Sequence, residues 1–260
     1  MTPAVLLATP VSHDTVTLPF AQSLFKLLPA LHGRGIRVEW FTARSSDIEF
    51  NRNYIGTVFL EKYAAFTHLL FLDEDMEFSP ASILQMLDLD KPLVGISYVR
   101  KKLDVARVVE FMISRGLKVT TENIATAVSC SSDFTHDVDY EKFPAADGKV
   151  NYSITAVNGF IEVERMPTGL MLIRKDVLEQ MIKVNAAKSV RQTGMQVYDF
   201  FGKIEMDGRK FSEDYSFCYR WKHMCQGEIW CKIDEYIGHQ GEYVFKGRYI
   251  DKLTNNILQS

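Results

Sequence analysis

Apolar positions along this chain fall into two alternating periodicities. Ala4 to Ala8 is a short uninterrupted apolar run, the mark of a buried strand, and it is expected to stop at Thr9-Pro10 in a polar loop reaching Thr17. Phe20, Leu24, Leu28 and Leu31 then recur at helical spacing until Gly33 and Gly35 break the pattern before a strand from Ile36 to Thr42. Strand, helix and strand in that order make a βαβ unit with parallel strands. A second helical face carries Ile55, Val58, Phe59, Tyr63 and Phe66, with Arg52 and Asn53 near its start.

The run from Thr67 to Leu72 is too short for a free-standing helix. It reads as a buried strand ending in Asp73-Glu74-Asp75, with a new helix starting at Ser79-Pro80, a Ser cap followed by Pro at the first helical position. Leu93 to Ile96 supplies a further strand. From Asp104 to Val150 the pattern weakens into polar and turn residues, with only Val105 to Met112 reading as possible helix, and this stretch is expected to be a variable insertion that recognises an acceptor. Regularity returns with strands at Phe160–Arg165 and Leu170–Ile173, a helix from Lys175, a helix capped by Ser212, a strand at Glu228–Ile233 and the sequence Gly238-His239-Gln240-Gly241. The fold class expected is α/β: a single domain over 1–260, with a mostly parallel mixed sheet flanked by helices. Residues 1–103 are expected to form a nucleotide-binding half and 151–260 an acceptor and catalytic half.

With 260 residues, 47% of them hydrophobic, a sizeable core is available. The net charge of −3 argues against nucleic acid or an anionic membrane as the main partner. Four cysteines without Cys-x-x-Cys spacing, and a start without a basic, apolar leader, suggest a cytoplasmic protein with reduced thiols. No segment approaches the roughly 20 apolar residues that span a bilayer.

Candidate chemistry gathers where strands end. Carboxylates at the C-terminal edge of an open α/β sheet offer hard oxygen ligands for a cation on a diphosphate, although an acidic triplet can also be a solvated turn. Arg44 and Arg52 offer forked donors to phosphate, and Asp47 an acceptor for a base or ribose hydroxyl; the arginines could equally pair with neighbouring acids. Arg100, Lys101 and Lys102 leave the strand at Ile96 as a basic cluster or a solvated turn. Asp133, His136 and Asp137 imitate a metal cluster or belong to a polar loop. Thr168-Gly169 makes a turn that a ligand could approach closely. Glu213 and Asp214 lie in a helix's first turn, where the dipole accounts for them without catalysis yet also fixes a carboxylate as a general base requires. His239 sits between glycines at a strand exit, and Lys246 and Arg248 follow it.

The order of these pieces resembles the GT-A family of nucleotide-sugar-dependent glycosyltransferases: the Thr9-Pro10 loop, Ala43-Arg44-Ser45 to Arg52-Asn53, Leu70 to Asp75, Thr168-Gly169-Leu170, Ser212-Glu213-Asp214 and Gly238-His239. The resemblance implies that Asp75 and His239 ligate Mn²⁺ or Mg²⁺, with Asp73 touching the metal through water or the ribose. It implies a nucleotide site of Thr9, Pro10, Arg44, Asp47, Arg52, Asp73, Glu74 and Lys246, and sugar or acceptor contacts from Thr168, Gly169, Arg100 and Glu213. It implies transfer from a nucleoside-diphosphate sugar, UDP- or GDP-linked, to a hydroxyl of a glycan or other acceptor, with Asp214 as the base if the transfer inverts; retention stays open, with Asp214 favouring inversion slightly. Glu74 between the two aspartates departs from the family's simpler pattern and leaves open which acid meets the metal. Two other functions compete: a sugar nucleotidyltransferase, which would want a glycine-rich basic loop that Thr9–Thr17 lacks, and a non-catalytic binding domain.

Overall fold

The computed structural model describes residues 3–136, 141–144, 150–153, 155–206 and 208–241. In chain order the elements are β1 (Ala4–Val11), α1 (Leu18–Gly33), β2 (Arg37–Arg44), α2 (Ile48–Lys62), β3 (His68–Leu72), β4 (Met76–Glu77), α3 (Pro80–Asp88) and β5 (Leu93–Ile96). Then follow α4 (Val105–Ser114), α5 (Thr121–Ser131), β6 (Glu141–Pro144), β7 (Val150–Ser153), β8 (Phe160–Glu162), β9 (Leu170–Arg174) and α6 (Lys175–Lys183). The chain continues with β10 (Ser189–Gln192), β11 (Met195–Tyr198), β12 (Glu205–Met206), β13 (Arg209–Lys210), α7 (Glu213–Tyr219), a π-helical turn over Arg220–Met224, β14 (Trp230–Lys232) and β15 (Gly238–His239).

Seven strands form one mixed sheet in the order β2-β1-β3-β9-β5-β14-β8. β2, β1, β3, β5 and β14 run in one direction; β9 and β8 run against them. Side chains alternate across the pleat, so β1 sends Val5 and Leu7 to one face and Leu6 and Ala8 to the other, and β3 does the same with Leu70 and Leu72 against Leu69 and Phe71. Helices α1 and α3 cover the first face through Phe20, Leu24, Leu27, Ile83 and Met86. Helices α2 and α6 cover the second through Ile55, Phe59, Val177, Leu178 and Met181, joined by Phe201 stacked on Phe217 from α7 at 4.5 Å. Both faces are thus dry, which is why β1 and β3 read as uninterrupted apolar runs.

Two expectations need correction. β1 does not end at Ala8: Thr9, Pro10 and Val11 continue it in register with Thr42, Ala43 and Arg44. The 104–150 stretch also holds more helix than expected: the helix expected over Val105 to Met112 is present as α4, and α5, which the sequence pattern does not show, packs on it as a hairpin through Val108, Met112 and Ala127. Asp104 and Thr120 cap the two helices by accepting the amides of Arg107 and Asn123.

The carboxyl ends of β3, β5 and β14 share one edge of the sheet. Because β9 runs in reverse, its first turn, Thr168-Gly169, lies at that edge too, with the Gly169 carbonyl accepting the Asp73 amide at 3.0 Å.

Candidate active site

The turn after β3 is short and tightly bonded. Asp73 accepts at its carbonyl from the Met76 amide (3.2 Å), and two residues of β4 pair antiparallel with β15, placing His239 opposite Met76. The Gln240 amide then donates to the Asp75 carbonyl at 2.9 Å, so the two segments, far apart in sequence, are stitched side by side.

This pairing brings the imidazole to the acids. His239 Nδ1 lies 2.9 Å from the Val99 carbonyl oxygen, which can only accept, so in the neutral ring the proton sits on Nδ1 and Nε2 keeps its lone pair. Nε2 is 3.8 Å from Asp75 Oδ2. The ring meets Tyr98 edge-on at 4.9 Å, which fixes its plane. The ammonium of Lys101 also pairs with Asp75 Oδ2.

The three consecutive acids point three ways. Asp73 turns to Arg52, whose Nη2 lies 3.1 and 3.3 Å from its two oxygens; Nη1 of the same guanidinium reaches Glu213 at 2.6 Å. Burial pulls the Arg52 pKa down, but Asp73, Glu213 and Asp214 outweigh it, and the pKa is raised. Glu74 faces the β1–α1 loop, its Oε1 accepting from Ser12 Oγ at 3.0 Å and its Oε2 enclosed with no partner among the described residues. Asp75 alone faces His239. Among the described residues no three His, Cys, Asp or Glu side chains converge on one point, so the expected ligand set of Asp73, Asp75 and His239 is not assembled as a triad.

Asp214 opens on the same cleft, a space of about 460 Å³ bounded also by Tyr98, Lys101, Pro167, Tyr215 and His239. Ser212 Oγ donates to its carboxylate, and the Tyr215 amide donates at 2.8 Å. Burial raises the Asp214 pKa despite these donors and the nearby Arg52. Ser212 occupies the cap position of α7 without capping it; its hydroxyl serves Asp214.

Other expected contacts fall elsewhere. Thr9 is wholly buried in β1, accepting the Trp40 indole at 3.0 Å, and Pro10 is buried beside it; neither belongs to a ligand loop. Arg44 pairs with Asp14 on the surface at 2.5 Å, and Asp47 caps α2 by accepting the Phe50 amide. Arg52 is 4% exposed and held between two carboxylates, so it supports the site rather than touching a nucleotide. Thr168 is buried, and a Cβ on Gly169 would sit 2.5 Å from the Tyr98 hydroxyl: the missing side chain makes room for that phenol, which accepts the Gly169 amide. Burial, then Asp73, lifts the Tyr98 pKa well above its usual value. Arg100 lines the cleft, but Lys101 is the basic residue that reaches an acid. Asp133 pairs with Arg107 and His136 with Ser97, so they do not form a metal cluster; Asp137, Lys246 and Arg248 lie outside the described residues.

Sequence reasoning missed Lys101, Tyr98, the Val99 carbonyl and Ser212 as partners of Asp75, His239 and Asp214. Two of them carried a signal of another kind, Lys101 as one of three consecutive cations and Ser212 as a helix cap.

No family model and no curated protein sequence matches this chain. Among solved structures it is similar to A197 from STIV, at 13% identity and TM-score 0.44, covering 94% of this chain and 98% of that one. A glycosyltransferase involved in glycosylation of the major capsid of PBCV-1 is similar at 14% identity and TM-score 0.34, over 71% and 66% of the two chains. The 4-diphosphocytidyl-2C-methyl-D-erythritol synthase of Anaerococcus prevotii is similar at 9% identity and TM-score 0.38, over 99% of each. At these scores the fold rests on the chain's own strand order.

Proposed function

We propose that this chain transfers a glycosyl group from a nucleoside-diphosphate sugar to an acceptor hydroxyl, with inversion at the anomeric carbon. The observation that carries the reading is the meeting of Asp75 and His239, drawn together by the β4–β15 pairing, with the half-buried carboxylate of Asp214 on the cleft that His239 lines.

The donor set fits a divalent cation such as Mn²⁺ or Mg²⁺. Asp75 supplies a carboxylate oxygen, and His239 supplies an Nε2 lone pair whose tautomer is set by the Val99 carbonyl, the second contact usual for metal-binding imidazoles. Two protein ligands leave room for diphosphate oxygens. Bound there, the cation would neutralise charge on the departing diphosphate as a Lewis acid.

The chain's own residues do the rest. Lys101, exposed and on a flexible stem, can exchange Asp75 for a phosphate oxygen. Asp214 receives the acceptor's hydroxyl proton as the new bond forms. Its pKa, raised chiefly by burial, makes it a better base than an ordinary aspartate. Arg52 holds Asp73 and Glu213 so that strand end and α7 keep their spacing. Tyr98 fixes the imidazole plane.

Calorimetric titration of UDP, GDP, CDP and dTDP with and without Mn²⁺ tests the first step. One nucleotide should bind in Mn²⁺ and lose most of its affinity without it; no binding of any in either condition overturns the reading.

A further inference from the structure

Helix α4 is apolar over a wider sector than α5 can cover. Val108 and Met112 are buried in the hairpin, whereas Val105, Val109 and Ile113, one turn apart on the adjoining stripe, are 53%, 48% and 76% exposed. With Ala106 they line an open groove of about 660 Å³, bordered by Glu110. Leu103 before the helix and Val119 after it are also exposed.

The charge around this stripe differs from that of the whole chain. Residues 100–122 hold six basic and three acidic side chains, in a protein whose formal charge is −3. Lys102 before the helix and Arg115 and Lys118 after it are exposed, and none has an ion pair among the described residues. Asp104, one of the three acids, is engaged in capping α4.

We propose that this face of α4 docks on an anionic lipid bilayer, with Val105, Val109 and Ile113 entering the interface and Lys102, Arg115 and Lys118 meeting the headgroups. An apolar stripe flanked by cations is what an interfacial helix needs. A ten-residue helix, about 15 Å long, is by contrast narrow for a stable protein interface, which buries on the order of 1,200 Å² or more. Among the described residues no helix is long and apolar enough to cross a membrane. Lys101, which lines the cleft, lies four residues before the first residue of the stripe. Docking of this face holds whether or not the cleft transfers sugar.

The test is sedimentation of the full chain with phosphatidylcholine vesicles, with and without phosphatidylglycerol. Binding should require the anionic lipid and weaken with salt. V109E/I113E should reduce it at least tenfold, and R115E/K118E by about fivefold or more for each cation removed, with circular dichroism melting curves near the parent's. Sedimentation that ignores phosphatidylglycerol, or that neither double variant weakens, overturns the proposal. So does a concentration-dependent dimer that V109E/I113E dissolves without any vesicle binding, which would make the stripe a contact between two copies. R115E/K118E alone decides the question if V109E/I113E fails to fold.

Discussion

Asp73 and Asp75 stand two residues apart on one turn, and their side chains are nearly equally exposed, at 25% and 24%. Their partners are opposites. Asp73 is met by a guanidinium with 5% of its side chain exposed, shared with Glu213 on α7; Asp75 is met by an ammonium 40% exposed and an imidazole at 3.8 Å. A forked, delocalised cation buried between two carboxylates is architecture, because removing it leaves two uncompensated charges. A hydrated point charge on a long stem is replaceable, because solvent screens the pair and the stem can move. One acidic turn therefore divides into a half that holds the molecule together and a half open to exchange.

The sharpest break in that division is expected at Arg52. Arg52→Met strands Asp73 and Glu213 and should cost about 3–5 kcal/mol of stability, seen as a lower urea midpoint with unchanged slope. An Arg52→Met protein as stable as the parent would erase the contrast.

Asp214 should show the reverse profile. Asp214→Asn is expected to lower turnover by roughly 10²- to 10⁴-fold, the usual contribution of a general base. Stability should not fall with it. Because folding raises this pKa, the unfolded chain ionises first as pH rises, so Asp214 contributes stability below its unfolded pKa and loses it through the folded one. The neutral variant should therefore gain on the parent as pH rises through that window, measured by paired denaturation at a series of pH values. The acid limb of the parent's turnover should be shifted up from where an ordinary aspartate would put it.

On the exchangeable side, Asp75→Asn and His239→Gln should each weaken Mn²⁺-dependent nucleotide binding by roughly 10- to 100-fold in calorimetry. Lys101→Met should do least to the fold, changing unfolding free energy by under about 1 kcal/mol, as expected for a pair this exposed.

Much of this was legible in the sequence where burial imposes a pattern. β3 and β5 read as apolar runs because both faces of the sheet are covered, and Ser79-Pro80 announced α3 because its cap is local chemistry. The reversal of β9 was not legible, since an apolar strand looks alike in either direction. Helix α5 was missed because Thr121–Ser131 is rich in Ala, Thr and Ser and buries only Ala127 and Ser131. In the site, the residue types of the acidic turn, of α7 and of Gly238-His239 drew attention by themselves. Their partners did not. That Arg52 answers Glu213 across 161 positions, or that Lys101 rather than Arg100 meets Asp75, follows from three-dimensional spacing that no local pattern encodes. The net charge of −3 likewise averaged away the basic segment beside α4.

The ribbon of β4 and β15 has a further consequence. It is only two residues long on each side, and neither strand belongs to the seven-stranded sheet. So short a zipper can part while the rest of the protein stays folded, carrying the imidazole away from Asp75 and restoring it on closing. Amide exchange at His239 and Gln240 would then run faster than in β1 or β3, so that the grip could be released and remade many times within the lifetime of a single folded molecule.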